Sequence, residues 1–336
     1  MTTKNHEDLA LYKGDGEKLE SRGGRLASYE PLTGEELPEN YIASSGLRDA
    51  VNVALALGQP LLITGEPGTG KTRLARSVAW ELDLHYLEFH TKTTSTASDL
   101  FYHYDALRRF QDVHAGDKKS LEEYITPTAL GLAILLANPT EKAVEILPDD
   151  LKTAGPVRSV VLIDEIDKAP RDLPNDVLDE IEKMKFRVKE APWEPFEADT
   201  AYRPVILMTS NSEKNLPEAF LRRCVFYHIP FPDADTLKRI VRRRFGDGKD
   251  PAFSEAFLNA AVDRFEAIRN LHLKKKPATA EFLGWISILK ALGVPLDKPG
   301  EMDRDKLKQS LSVLAKGRED LQRLRGELPS LFSLAG

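Results

Sequence analysis

A glycine-rich stretch near residue 65 carries the residue types that bind a phosphate chain. It is Gly65-Glu66-Pro67-Gly68-Thr69-Gly70-Lys71-Thr72, in which the outer glycines are separated by four residues and followed by Lys and Thr. Glycines in such a loop let backbone N–H groups approach phosphate closely. In this pattern the Lys71 ammonium reaches the β- and γ-phosphates and the Thr72 hydroxyl binds Mg²⁺. The eight residues are therefore predicted to bind a nucleotide.

The segments on either side give this loop its expected context. An apolar run, Pro60-Leu61-Leu62-Ile63-Thr64, precedes it and predicts a strand. After it, Leu74, Val78 and Leu82 recur at helical spacing. A strand, a glycine loop and a helix in this order place the partial positive charge of a helix N-terminus beside the phosphates.

Two acidic residues end a second apolar run and are candidates for metal and water binding. The run Ser159-Val160-Val161-Leu162-Ile163 is typical of a central parallel strand, and Asp164 and Glu165 follow it. Carboxylates at the carboxyl end of a parallel strand face the ligand crevice. Asp164 is predicted to hold Mg²⁺, directly or through water, and Glu165 to orient and polarise an attacking water. The alternative is a solvated acidic turn.

Further along the chain, one amide and two arginines are candidates for the same reaction. Asn211 lies at the tip of the predicted strand 203–208, after Thr209 and Ser210. It could hydrogen-bond the γ-phosphate or the water, although Asn is also common in turns. Arg222 and Arg223 precede another predicted strand, 225–229. Either could act as an arginine finger on the nucleotide of a neighbouring subunit. A salt bridge within the subunit is the alternative for both.

Composition restricts the class of protein. The chain has 336 residues, 41% apolar and 30% charged, which suits a soluble protein of roughly two domains. A net charge of −6 argues mildly against a general nucleic-acid or membrane-surface binder, and one cysteine permits no internal disulfide. No segment has the features of a signal peptide or a membrane helix, so a cytoplasmic location is expected. The seven histidines show no metal-ligand spacing, so we expect no zinc site.

Three regions are expected: a loosely ordered arm over 1–40, a nucleotide-binding α/β domain over 41–232 and a helical domain over 233–336. A helix is predicted over 44–57, and Tyr41 and Ile42 before it could pack on the nucleotide base or staple that helix. Residues 85–90 predict a strand and 118–150 an insertion of helices. Residues 100–113 predict a helix with aromatic residues in the core. A surface that contacts substrate or a neighbouring subunit is the alternative.

The helical domain is predicted from apolar stripes at helical spacing. It contains two basic runs, Arg242-Arg243-Arg244 and Lys274-Lys275-Lys276. A solvated face is the usual meaning of such runs, and an anionic partner or a subunit interface is the alternative.

The order of phosphate loop, Asp-Glu strand, strand-tip Asn, arginine pair and helical domain resembles an AAA+ ATPase. The stretches Val161–Pro170 and Leu216–Arg223 are particularly similar to the MoxR branch. The resemblance spans about residues 40–292. It implies a parallel central sheet flanked by helices with a C-terminal all-helical lid. It also implies that ATP and Mg²⁺ bind at the interfaces of a hexameric ring. MoxR-like ATPases act as chaperones or maturation factors, many with a partner that bears a von Willebrand factor A domain. Arg223 matches the branch's arginine better than Arg222 does.

One position departs from the family pattern. An arginine that contacts the γ-phosphate is expected early in the third lid helix, where this chain has Ala280. Lys276 or another subunit could supply the charge. The departure motivates a rival hypothesis, an assembly scaffold that binds ATP and hydrolyses little. The basic runs motivate another, a nucleic-acid-associated ATPase of a defence system.

Overall fold

A computed structural model describes residues 38–117, 119–152, 155–211, 216–245, 254–298 and 301–332. The chain divides into two compact units, one of which is Tyr41–Phe231. The other begins at Pro232 and includes the described residues before Tyr41. The predicted arm over 1–40 lies outside the described residues, apart from a short 3₁₀ turn at Pro38–Asn40. No helix in the described ranges has the length and apolar character needed to cross a bilayer.

The first unit alternates strands with helices. Its strands are β1 (Leu61–Gly65), β2 (His85–His90), β3 (Tyr102–Tyr104), β4 (Ile125–Pro127), β5 (Ser159–Asp164), β6 (Lys185–Phe186), β7 (Phe196–Glu197), β8 (Val205–Ser210) and β9 (Val225–Ile229). Its helices are α1 (Ser45–Leu57), α2 (Lys71–Glu81), α3 (Ala106–Ala115), α4 (Ala129–Ala137), α5 (Glu141–Ile146), α6 (Leu173–Asp176), α7 (Leu178–Lys183) and α8 (Glu218–Leu221).

A five-stranded parallel sheet organises this unit. Its strand order is β2-β5-β8-β1-β9, and every pairing in it is parallel. Strands β1 and β5 are buried along their whole length, as expected for parallel strands covered on both faces. Because the strands are parallel, the residues that follow β1, β5 and β8 meet at the same edge. The predicted α/β fold is confirmed.

Alternate residues of the central strands pack into two cores on opposite faces of the sheet. One core packs Leu61, Ile63, Val160 and Leu162 against the apolar sides of α1 and α2. The other packs Leu62, Val161 and Ile163 against the elements around α4. This alternation follows from the two-residue period of a strand. The first of the two cores anchors α1, which precedes β1, and α2, which follows the phosphate loop.

The segment 100–113 differs from its prediction. It forms a short turn, strand β3 and helix α3 instead of one helix, and β3 pairs with β4 in a separate antiparallel ribbon. Phe101 and Tyr102 are buried, but Leu107, Phe110 and Val113 on α3 are 61–68% exposed. The expectation of a helix with all its aromatic residues in the core is therefore wrong for α3. The predicted insertion over 118–150 also contains strand β4, which the helix prediction missed.

The second unit consists of helices. These are α9 (Ala234–Phe245), α10 (Glu255–Asn270), α11 (Thr279–Ala291), α12 (Arg304–Ser310) and α13 (Arg318–Phe332). Phe265 and Phe282 pack with ring centroids 4.5 Å apart, and the buried Trp285 indole donates a hydrogen bond to Ser310. The apolar stripes in the sequence thus correspond to the buried sides of these helices.

Most residues of the two basic runs have partners inside this unit. Arg242 pairs with Glu255, and Arg243 donates to the Glu39 carbonyl at 2.7 Å. Lys274 pairs with Glu319 at 2.8 Å, and the backbone N–H groups of Lys274 and Lys275 donate to Asp320. These contacts favour the interpretation of the runs as a solvated face.

The tightest glycine position provides a test of this packing. A Cβ on Gly131, in α4, would lie 1.8 Å from the Phe101 carbonyl oxygen, whereas a Cβ on Gly326, in α13, meets nothing within 4 Å. We expect Gly131→Ala to destabilise the protein by about 1–3 kcal/mol, because the backbone must shift. Gly326→Ala should stabilise it by about 0.5–1 kcal/mol. Chemical denaturation of both variants checks this, and equal effects would contradict the described packing.

Candidate nucleotide-binding site

The phosphate-binding loop connects β1 to α2 at the carboxyl edge of the sheet. Gly70 caps α2 with φ 89°, a left-handed conformation that glycine adopts readily. Gly65 must also be glycine, since a Cβ there would lie 2.7 Å from the Ile229 carbonyl oxygen. The Thr69 hydroxyl closes the turn by donating to the Glu66 carbonyl at 2.8 Å. The loop is thereby held open at the N-terminus of α2, where backbone N–H groups are available to an anion.

Lys71 is buried at the first residue of α2. Its ammonium donates to the carbonyls of Gly65 at 2.8 Å and Glu66 at 3.0 Å. Burial lowers the pKa of Lys71, and the negative charges of Asp164, Asp167 and Glu165 oppose that shift. A cation held in this partly desolvated position would interact strongly with a phosphate that entered the loop.

Asp164 joins three elements. Its Oδ1 accepts from the Thr72 hydroxyl at 3.0 Å and from the Thr209 hydroxyl. Thr72 lies on α2, Asp164 ends β5 and Thr209 is in β8. Hydroxyl and carboxylate oxygens are hard donors of the kind that Mg²⁺ prefers, so Thr72 and Asp164 fit the predicted metal site.

Glu165 is positioned by its backbone and by two side chains. It adopts φ 55° and ψ 49°, and its N–H donates to the Thr209 hydroxyl at 2.9 Å. The Asn211 amide donates to Glu165 Oε1 at 3.2 Å, and the Lys168 ammonium donates to Oε2. The two predicted residues Glu165 and Asn211 are therefore in direct contact. A left-handed backbone at a non-glycine residue is strained and is common at functional sites.

Tyr41 lies against the end of the phosphate loop. Its ring carbon Cε2 is 3.1 Å from the position of a Cβ on Gly70, and burial raises the pKa of its hydroxyl. Tyr41 also packs against the core that contains Leu47 of α1. Ile42, the next residue, is half-buried. Tyr41 thus contacts both the loop and the core beside α1, and its predicted contact with a base stays a prediction.

Both candidate arginines form ion pairs within their own chain. Arg222 pairs with Glu218, and Arg223 pairs with Glu182 at 3.3 Å and donates to the Ala219 carbonyl. They precede β9, whose first residue, Val225, lies opposite Leu61 at the start of β1. The phosphate loop begins at Gly65, at the other end of β1, about 13 Å away at 3.3 Å per residue. The structure therefore does not bring either arginine to the loop of its own subunit.

Sequence reasoning missed Thr209 and the pair formed by Glu88 and His90. A threonine in an apolar strand is ordinary, so its residue type gives no signal. The signal that Thr209 does offer is its position two residues before Asn211, which puts both on the same face of an extended chain. Glu88 and His90 lie at alternate positions of β2, a spacing that puts both on one face. His90 is paired in register with Asp164.

Comparison of the sequence with protein families gives one match. The model of the ATPase family associated with various cellular activities (AAA) matches residues 61–232, slightly more than half of the chain. The chain belongs to the AAA family of ATPases. Its members hydrolyse ATP in general, which agrees with the phosphate loop and the acidic strand end described above. A comparison with curated protein sequences finds no match to this chain.

Solved structures with some similarity to this AAA chain include RuvB of Thermotoga maritima. A single-site mutant of that protein is 15% identical and has a TM-score of 0.47, over 87% of this chain and 78% of the mutant. The structure titled RuvB Holliday junction branch migration motor is 14% identical and has a TM-score of 0.46, over 90% of this chain and 80% of RuvB.

The burial of Lys71 predicts a pH dependence of stability. Its folded pKa is below the value of 10.5 for an exposed lysine, so the unfolded chain holds this proton more tightly. The stability of the nucleotide-free protein relative to Lys71→Met should therefore fall as the pH is lowered from about 10.5 through the folded pKa. Thermal unfolding of both proteins between about pH 8 and 10.5 measures the difference.

Lys183→Met is the control for this experiment. The carboxylate of Asp179 raises the pKa of Lys183, so the pH dependence should have the opposite sign, and solvent screening should make it small. A difference between wild type and Lys71→Met that does not change with pH would contradict the burial of a charged Lys71.

Proposed function

We propose that this protein is a Mg²⁺-dependent ATPase whose site is formed by Lys71, Thr72, Asp164, Glu165 and Asn211. The observation that carries the proposal is their convergence at one sheet edge from three segments of the chain, linked by the hydrogen bonds of Asp164 and Glu165. Lys71 and the loop N–H groups would neutralise phosphate charge, and Glu165 would accept a proton from the attacking water while Asn211 orients it. Thr72 and Asp164 would hold Mg²⁺, which would supply charge stabilisation at the phosphates.

ATP is preferred to GTP, because the sequence contains no Asn-Lys-x-Asp motif of the kind that reads guanine. Three further residues of the loop, Glu66, Pro67 and Gly68, are exposed at its tip. Their backbone groups would border the phosphates.

The role of Glu165 is tested by Glu165→Gln. The amide cannot accept the proton, so turnover should fall by about 10²–10⁴-fold while ATP binding is retained. Steady-state phosphate release and titration calorimetry with MgATP measure the two quantities. Glu197→Gln, at a surface carboxylate paired with Lys185, is the matched control. Turnover by Glu165→Gln equal to that of the control would remove Glu165 from this role.

Arg223 is proposed to act on the nucleotide of a neighbouring subunit in a hexameric ring. Its position at the sheet edge opposite its own loop supports an action in trans over one in cis. Its side chain is about half exposed, and its pair with Glu182 is a surface ion pair, which typically contributes 0–1 kcal/mol and so can be exchanged for a stronger partner. Arg222 is the more exposed of the two and is the weaker candidate.

Mixing experiments test the in-trans role. Arg223→Ala should lower turnover by about 10³-fold or more without weakening ATP binding, and Arg222→Ala is the matched control. When Arg223→Ala is mixed with Lys71→Met, subunits with an intact loop gain an intact arginine from their neighbour, so activity should partly return. Activity equal to the sum of the separate variants would contradict the assignment.

The ATPase is proposed to act on a partner protein by remodelling or maturing it, in keeping with the resemblance to the MoxR branch of chaperones and maturation factors. The support is the exposed apolar side of α3, formed by Leu107, Phe110 and Val113 at helical spacing. Exposed side chains of this size are costly in water and mark contact sites when they cluster. A partner with a von Willebrand factor A domain is one candidate, and a client polypeptide is another.

Substitution of the α3 side chains tests the partner proposal. Leu107→Ser, Phe110→Ser and Val113→Ser combined should leave basal ATPase activity and stability nearly unchanged, because exposed positions contribute within about 0.5 kcal/mol each. An unfolded protein such as casein should stimulate the ATPase activity of the wild-type protein, and the triple variant should lose this stimulation. A triple substitution at exposed polar residues of α13 (Arg318, Gln322 and Arg325) is the control. Retained stimulation would exclude α3 as the contact.

A scaffold that binds ATP with little turnover is the second candidate. Ala280 favours it, since it is the second residue of α11 and has no charge to offer a γ-phosphate. The exposed Lys276 precedes that helix and is the nearest candidate substitute. The phosphate-release assay above distinguishes the two functions.

A further inference from the structure

Three residues with metal-binding side chains meet at the edge of the sheet beside the proposed nucleotide site. Glu88 and His90 project from the same face of β2, and β2 is the neighbour of β5 in the sheet. His90 lies directly opposite Asp164 in that pairing. The topology therefore brings one imidazole and two carboxylates together, although about 75 residues separate the strands in the chain.

The distances within this cluster are short. His90 Nε2 is 3.2 Å from Glu88 Oε1, and His90 Nδ1 is 3.6 Å from Asp164 Oδ2. One ligand atom from each residue lies within 4.8 Å of the other two. Ligands on one tetrahedral metal ion are roughly 3.4 Å apart when bonds are about 2.1 Å long. The two distances above join different ring nitrogens of His90, and one ion takes only one of them. The His90 side chain is largely exposed, so it can rotate to place a single nitrogen between the two carboxylates.

Few hydrogen bonds hold the oxygens that face the cluster. Glu88 Oε1 is inaccessible to solvent and accepts no hydrogen bond of good geometry. Its polar neighbours are His90 Nε2 at 3.2 Å and the hydroxyl of Tyr86, which interacts with the Glu88 carboxylate. Arg76 fixes the other oxygen, Oε2, at 3.0 Å. On Asp164, two hydroxyl groups occupy Oδ1, and Oδ2 faces His90. A cation between these groups would give Glu88 Oε1 a direct ligand bond in place of its loose contact with His90, and Arg76, Thr72 and Thr209 would orient the ligands.

We propose that Glu88, His90 and Asp164 bind a divalent transition-metal ion of the Zn²⁺ or Co²⁺ type. An imidazole nitrogen favours such ions over Mg²⁺, which takes oxygen ligands and releases its waters reluctantly. This site goes beyond the proposed ATPase function and does not depend on it. It runs against the expectation from histidine spacing, because two of its three ligands are carboxylates and one comes from a neighbouring strand. It shares Asp164 with the proposed Mg²⁺ site, so an ion bound here would draw the Asp164 carboxylate away from Thr72 and lower turnover.

The binding test uses the full chain without an affinity tag and without nucleotide. Titration with Co²⁺, followed by its visible absorption, and with Zn²⁺, followed by calorimetry, should show one ion per chain. His90→Ala and Glu88→Gln should each weaken binding by about tenfold or more, which is about 1.4 kcal/mol. His85→Ala is the matched control, since His85 is exposed at the other end of the same strand, and it should bind like wild type.

The proposal is overturned if neither ion binds, or if His90→Ala binds as tightly as His85→Ala. A second readout is the inhibition of MgATP hydrolysis by Zn²⁺. The concentration needed for half-inhibition, measured for each protein relative to its own activity without Zn²⁺, should rise about tenfold or more in His90→Ala. Because the titrations contain no nucleotide, they hold or fail separately from the ATPase proposal.

Discussion

The pairing of the Asp164 carboxylate with two hydroxyl groups is the interaction on which the proposed site depends. A buried carboxylate is costly unless donors surround it, and Thr72 and Thr209 supply them to Oδ1. Thr209 also accepts from the N–H of Glu165. One threonine therefore holds both the Asp164 carboxylate and the backbone of Glu165. Loss of the Thr72 contact would remove the hydrogen bond that links the start of α2 to the acidic end of β5.

The parallel sheet makes that pairing possible. Residues 65–72, 164–165 and 209–211 are far apart in the chain, and each group follows a strand that ends at the same edge. Burial of β1 and β5 on both faces fixes their register, because a slip of one residue would exchange the two cores. The cores thus supply the rigidity with which the polar groups are held. The site itself contributes strain, in the left-handed Glu165, rather than stability.

The sequence predicted the residues of this edge because their chemistry is local. A glycine loop, an Asp-Glu pair and a strand-tip Asn each follow an apolar run, and the parallel order of the runs brings them together. The same reasoning failed at α3, where an amphipathic pattern does not reveal whether its apolar side meets a core. Phe110 has the spacing of a buried residue and is exposed. Pairings across the sheet were equally invisible, since the contacts of Thr209 and of His90 with Asp164 depend on the register of neighbouring strands.

The most direct test of the proposed site is a structure of the protein with Mg²⁺ and a slowly hydrolysed ATP analogue. The Lys71 ammonium should leave the carbonyls of Gly65 and Glu66 and contact the phosphates, with Thr72 and Asp164 at the metal ion. A structure in which Lys71 keeps both carbonyl contacts while the analogue lies elsewhere, or does not bind at saturating concentration, would contradict the central claim.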